Sequence, residues 1–169
     1  MKQKFDAIVV GAGHAGIEAA RALAQRGFST ALITLDRQKI GAMSCNPAIG
    51  GVAKGHLVFE IDGLGGLMGH LADLSMIQGK RLNSNRGPAV RSTRFQCDKD
   101  HYSQNACRIV GAFKNLEIVE DEVAELLFVN GSDSIKKIAG CRLASGKSIE
   151  APSVVITSGT FMRAVMFHG

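Results

Sequence analysis

Three glycines and a cysteine are the residues of this chain whose type and spacing point to chemistry. Gly11, Gly13 and Gly16 stand in "GAGHAG", directly after the apolar run "FDAIVV" and directly before "IEAARALAQRG". The G-x-G-x-x-G pattern is weak alone, but between a strand and a helix it is a dinucleotide fingerprint. Gly11 permits the tight turn, Gly13 has no Cβ to hold a pyrophosphate off the backbone, and Gly16 lets helix and strand pack closely. Free N–H groups and the positive dipole end of the helix then face the phosphates. The candidate cofactor-binding residues are therefore Gly11, Ala12, Gly13, His14, Ala15 and Gly16, with His14 read as packing and capping rather than as a base. The fingerprint also expects an acidic residue at the end of the next strand, to hold a ribose hydroxyl. That position is Thr34, with Asp36 two residues on, so the adenosine end departs from the pattern.

The cysteine is Cys45, in "MSCNPAIGGVAKGHLVFEIDGLGG" at 43–66. It precedes Pro47, Gly50 and Gly51 and an expected helix start, and a thiol beside a helix N-terminus gains thiolate character. The stretch also carries Ile49, Val52, Leu57, Val58, Phe59 and Ile61, which no flexible linker needs. An ordinary buried cysteine is the alternative. Lys54 and His56 follow the glycines and are weaker candidates, equally readable as structural. The four cysteines contain no C-x-x-C pair, so zinc and dithiol motifs are absent and no metal site is expected.

These residues need elements to position them. The run 5–10 reads as a buried strand, Ile17, Ala20, Leu23 and Ala24 have helical spacing with Gly27 as the stop, and "STALITLD" reads as a second buried strand. Strand, glycine turn, helix and strand make a βαβ unit with parallel strands. Residues 36–47 read as loop, a helix is expected from 48–51 to about 64, a second over 66–75, and loop over 76–97. Asp98 caps a helix over 98–113. From 116 onward strand-like runs are punctuated by tight turns at Asn130-Gly131 and Ser145-Gly146, and "SVVITSG" reads as another parallel strand. The fold class is α/β, with a parallel sheet, helices and a β-meander at about 116–150.

Length and composition set the frame. The chain has 169 residues, one domain of ordinary size, and 46% apolar residues, so it is globular. Its 20 glycines exceed the usual ~7% and suggest close backbone approaches. The first apolar run is too short for a signal peptide or a membrane span, which reads as cytoplasmic with no membrane. The net charge is +5. Its location is uneven: between Asp73 and Asp98 there is no acidic residue, while Lys80, Arg81, Arg86, Arg91 and Arg94 fall there. Such a segment suits a phosphate-bearing partner or is a solvated basic loop.

The meander followed by "APSVVITSGT" resembles the two-dinucleotide-binding flavoproteins, a Rossmann-like FAD-binding fold in which a strand ending in such a turn returns beneath the cofactor. A closer match lies in "GAGHAGIEAA", "MSCNPAIGGVAKGHLVFEIDGLGGLMG" and "NRGPAVRSTRFQCDKDHY". Together these resemble the MnmG (GidA) family, the flavin subunit of a bacterial tRNA wobble-uridine modification enzyme, from about residue 5 to 163. The resemblance implies FAD as cofactor and, with the GTPase partner MnmE, addition of a carboxymethylaminomethyl or aminomethyl group to C5 of the wobble uridine of certain tRNAs. It implies methylene-tetrahydrofolate as one-carbon donor, NADH as reductant, and a homodimer. Cys45 then matches a catalytic cysteine near the flavin, whose thiolate could add to C6 of uracil and make C5 nucleophilic. Val123 matches the position whose backbone lies against the adenine. Family members are several times longer, and their "GTF-L-x-G-x-I-H-x-G" ending stands here as "GTFMRAVMFHG". Residues 1–169 are accordingly expected to be the N-terminal part of an FAD-binding domain, inactive by itself. A free-standing dinucleotide-binding module without catalysis is the alternative. A flavin disulfide reductase is disfavoured, because Cys45 has no cysteine within the next 50 residues.

Overall fold

The structure is a computed structural model and describes residues 3–43, 46–131, 135–160 and 162. In chain order the elements are β1 (Gln3–Lys4), β2 (Ala7–Val10), α1 (His14–Gln25), β3 (Thr30–Thr34), β4 (Ala48–Gly50), α2 (Lys54–Gly63), α3 (Leu67–Ser75), β5 (Met76–Leu82), β6 (Ser92–Cys97), α4 (Lys99–Gly111), β7 (Leu116–Glu120), β8 (Val123–Asn130), β9 (Lys136–Leu143), β10 (Ser148–Glu150) and β11 (Val154–Ile156). The chain divides into two compact units: one is drawn from Met1–Arg37 and Phe113–Gly169, the other is Gln38–Ala112.

The first unit is built on a parallel sheet of order β11-β2-β3-β7. Ile8 pairs with Val154 on one side and Ala31 on the other, and Thr30 pairs with Leu116. Strands buried on both faces must be apolar throughout, and Ile8, Val9, Ala31 and Leu32 are all fully buried. The βαβ unit forms as the sequence indicates. α1 lays Ile17, Ala20 and Ala24 into the interior, and Gly27 turns the chain at a φ of +86°. A second sheet, order β1-β10-β9-β8, is the antiparallel meander with β1 added parallel at its edge. Ile8, Ala31 and Ile33 of the parallel sheet share one core with Cys141, Leu143, Ile149 and Ala151, against which Phe5, Val123 and Leu126 pack. Each such aliphatic side chain, once buried, contributes roughly 1.5–3 kcal/mol.

The second unit has a three-stranded antiparallel sheet of order β4-β6-β5 with α2, α3 and α4. Here three expectations are corrected. Residues 48–50 form a strand, because Ile49 pairs with Phe95, and the helix starts only at Lys54. Residues 76–97 are not loop but hold two strands of a hairpin. Strand β5 is exposed at six of its seven positions, so it carries no apolar alternation to announce it. In the first unit, the β8–β9 connection is longer than a two-residue turn, closed by Gly131 N donating to Ile135 O at 2.9 Å. The Asp98 cap is present: its carboxylate accepts from Asp100 N and His101 N at 3.0 and 2.9 Å.

Candidate functional site: a glycine turn at the carboxyl ends of a parallel sheet

In an open α/β sheet, ligands bind beyond the carboxyl ends of the strands. Four such ends meet in the first unit: Gly11 after β2, Thr34 closing β3, Asp121 after β7 and Thr157 after β11. Backbone bonds carry the ladder past the strands, with Gly11 N on Ile33 O (2.8 Å), Asp121 N on Thr34 O (2.9 Å) and Thr157 N on Val10 O (2.8 Å).

The glycines divide their work as the fingerprint requires. Gly11 has a φ of +97°, and a Cβ there would lie 2.6 Å from the carbonyl oxygen of Thr157. Gly16 is buried, and its Cβ would run into the Gly11 carbonyl and stand 2.8 Å from Thr157 Oγ1. Gly13 faces open space, with nothing within 4 Å of the place a Cβ would take. It is also the N-cap of α1, and it offers no side chain to the first-turn N–H groups, nor is there an acidic residue in that turn. The first N–H groups of an α-helix, here those of Ala15 and Gly16 among them, have no intrahelical acceptors. The result is a positively polarised helix end beside a backbone without Cβ, which fits a pyrophosphate.

One contributor was not singled out from sequence. Thr157 Oγ1 stands 2.8 Å from Val10 O and 2.9 Å from Gly11 O. A hydroxyl has one proton, so it donates to one of the two carbonyls at a time, and either bond fastens the glycine turn to the end of β11. The signal was the "TSG" after the last strand, whose first residue bonds back 146 positions along the chain.

The remaining candidates are placed as follows. Thr34 ends β3, where the fingerprint expects the ribose contact, and its hydroxyl donates to Asp36 O at 3.2 Å. Asp121 sits beside it, its carboxyl held below the ordinary carboxylate range by a hydrogen bond from the Ser145 hydroxyl. Val123 opens β8 opposite Leu143, with its side chain against the core. Cys45 lies outside the described residues, but its flank is fixed: Ala48 N donates to Asn46 O and Cys97 N to Pro47 O, both at 2.7 Å. Burial pushes the Cys97 and Cys141 thiols up, so neither is an activated nucleophile. Among the described residues no His, Cys, Asp and Glu cluster could hold a metal, and no helix is long and apolar enough to cross a membrane. A cleft of about 690 Å³ runs along β7 and reaches Asp121, lined by Glu117, Glu120, Asp121 and Lys147 among others. With three carboxylates to one lysine it repels phosphate, and the glycine turn is the better anion site.

A glycine turn of this build, on a parallel sheet backed by a meander, defines a Rossmann-like fold of the FAD-binding type. Solved structures at low identity share it: a probable FAD-dependent monooxygenase from Pseudomonas aeruginosa is 15% identical with a TM-score of 0.59, over 95% of this chain and 45% of that one, which bears on the fold alone. The chain belongs to the family described as glucose inhibited division protein A, whose model matches residues 6–169. It is 46% identical, over its whole length, to the tRNA uridine 5-carboxymethylaminomethyl modification enzyme MnmG of Endomicrobium trichonymphae, and it covers 28% of that protein. It is 45% identical to the crystal structure of Aquifex aeolicus GidA, with a TM-score of 0.88, over 94% of this chain and 26% of that one. The chain thus spans about a quarter of the length of the relatives it matches.

Proposed function

We propose that this chain is the N-terminal, FAD-binding portion of a flavoenzyme that installs a carboxymethylaminomethyl or aminomethyl group on C5 of the wobble uridine of certain tRNAs. The observation that carries the proposal is the glycine turn: an open Gly13 at an uncapped helix start, set at the carboxyl ends of four parallel strands, in a chain that matches the family over 6–169. The pyrophosphate is held by the backbone of Gly11, Ala12, Gly13, His14, Ala15 and Gly16. Thr34 takes the ribose and the backbone of Val123 takes the adenine. When bound, FAD supplies reversible two-electron redox chemistry. Cys45 is the nucleophile or thiol neighbour of the flavin.

The same reading makes the longer protein a cytoplasmic homodimer. It works with the MnmE GTPase, takes its one-carbon unit from methylene-tetrahydrofolate and accepts reducing equivalents from NADH. Two measurements test it. The purified chain, titrated with FAD, is expected to bind it weakly and to show a flavin absorbance band at saturation; saturable binding of NAD alone would favour a stand-alone dinucleotide module. In a full-length relative, the substitution equivalent to Cys45→Ser is expected to keep FAD and lose uridine modification, since a serine hydroxyl is far less ionised than a thiol near neutral pH. Full modification by that variant would return Cys45 to a packing role.

A further inference from the structure

The five basic residues of the acid-free window are all exposed on the hairpin of β5 and β6 and on the loop that joins them. The register opposes two of them directly: Lys80 pairs with Arg94, and Arg81 with Thr93 one rung on. Like charges opposite one another across a strand pair are destabilising. None of the five pairs with a carboxylate among the described residues. A solvated surface hairpin would relieve this repulsion with a single glutamate, and this one has none between Asp73 and Asp98.

The connecting loop is held in one shape. Arg86 N donates to Asn83 O at 3.0 Å, Asn83 Nδ2 to Val90 O at 2.9 Å, and Arg91 Nε to Arg86 O at 2.7 Å. Arg91 therefore works as a latch, and Arg86 is carried on the loop that it closes. Successive strand residues face opposite sides of a sheet, so Lys80 and Arg94 share one face of the hairpin, Arg81 lies on the other, and Arg86 rides on the loop. Cations spread in this way along a hairpin suit an anion whose charges repeat. A dinucleotide carries two phosphates and would neutralise only part of the set. The rest of the chain holds fifteen basic and fifteen acidic residues, so the net excess of positive charge resides in this window.

We infer that the β5–β6 hairpin is a docking surface for the phosphate backbone of RNA, with Lys80 and Arg94 as the strand contacts and Arg86 as the loop contact. It rests on the reading of the chain as part of a tRNA-modifying enzyme, and it assigns a substrate surface to residues outside the glycine turn. These side chains read no bases; they set position and give affinity that falls with salt.

The test is binding of an unmodified tRNA transcript to the purified chain, followed by fluorescence anisotropy across a potassium chloride series. The variant Lys80→Gln/Arg86→Gln/Arg94→Gln is expected to bind at least tenfold more weakly at low salt. The slope of log K against log salt should fall by about two to three, at roughly 0.7–0.9 for each phosphate no longer neutralised. A control with the same charge change elsewhere, Lys4→Gln/Lys136→Gln/Lys137→Gln, is expected to keep the slope. Circular dichroism checks that both variants fold, as exposed positions allow. An unchanged slope in the hairpin variant, an equal fall in the control, or no binding by the parent chain would overturn the inference. So would poly-L-glutamate binding as tightly as tRNA and losing its affinity in the hairpin variant, which would make the occupant an acidic polypeptide. Flavin absorbance of the same preparations separates the two levels: a flavin band without tRNA binding sinks this surface alone, and tRNA binding without flavin sinks the underlying reading.

Discussion

The chain passes twice from a strand through a glycine turn into a helix, once in each unit, and holds the two turns differently. In the first unit β2 runs through Gly11, at a φ of +97°, into α1; in the second β4 runs through Gly50, also at +97°, into α2. Each turn then has an open glycine, Gly13 or Gly51, with nothing near the place its Cβ would take, and each helix presses a glycine of its first turns against a neighbour, Gly16 or Gly55. What differs is what holds the helix. α1 is anchored by Ile17, Ala20 and Ala24, all buried, whereas α2 buries only Gly55 and leaves Leu57 and Phe59 more than half exposed. The second turn depends on polar fastenings: Ser92 Oγ on Gly51 O at 2.6 Å, Gly51 N on Thr93 O at 2.9 Å, and Lys54 Nζ on Ala48 O at 3.2 Å. A segment with few buried apolar contacts opens at lower cost than a core helix. The first turn is a rigid cradle, and the second is one that local changes can adjust.

The comparison breaks most sharply at Gly16. A methyl group there meets the carbonyl of Gly11, which is backbone and cannot rotate away. Gly16→Ala is expected to lower unfolding stability by about 3 kcal/mol, the upper part of the range for overpacking, read as the midpoint of urea unfolding. An unchanged midpoint would mean that the helix and strand are not locked here.

The next effect falls on binding and spares stability. Gly13 has a φ of −70° and a ψ of −172°, extended backbone that a β-branched residue adopts, and the space beyond it is open. Gly13→Val should therefore unfold at the parent midpoint while losing about a hundredfold in FAD affinity, roughly 2.7 kcal/mol, by titration. Retained affinity would remove the pyrophosphate from this turn.

The contrast between the two turns also explains what the sequence could tell. The first was legible because its strands are buried and apolar, its helix has a clear apolar stripe, and its glycines carry a known spacing. Thr157 was not singled out, because the "TSG" after the last strand marks a turn but not the distant carbonyls that the hydroxyl faces. The second turn was misread at 48–50. Ala48, Ile49 and Gly50 show no strand pattern of their own; pairing with β6, some 45 residues on, makes them one. Strand β5 hid for the opposite reason: exposure strips it of the apolar alternation by which strands are recognised.

At Gly55 the obstacle is a side chain instead of backbone. A methyl group would collide with Ser92 Oγ, which can turn aside if it gives up its bond to Gly51 O. Gly55→Ala should then cost about 1–2 kcal/mol, the worth of one buried hydrogen bond left unmade. In a Ser92→Ala background the same substitution should cost much less, giving a clear coupling between the two sites. Additive effects would show that Ser92 is not the clamp of this turn.

The smallest expected effect has the opposite sign. Ala53 stands just before α2 with a φ of 66° and a ψ of −60°, and Lys54 N closes a three-residue turn on Val52 O at 2.9 Å. This is the strained form of the γ-turn, and a residue with a Cβ in such a conformation carries roughly 1–3 kcal/mol of strain. Nothing comparable burdens the first turn, where the positive φ falls on Gly11. Ala53→Gly would relieve the strain, and the added freedom of glycine in the unfolded chain would take back roughly 0.5–1 kcal/mol. The net expectation is a gain of about 1 kcal/mol, near the middle of that difference, seen as a higher urea midpoint with an unchanged slope. Because the strain is released where α2 begins, Leu57 and Phe59 follow it, and hydrogen exchange at 54–58 should slow in the variant. A loss of stability, as glycine causes at an ordinary helix start, would show that the second turn is relaxed. The difference between the two cradles would then lie in their burial alone.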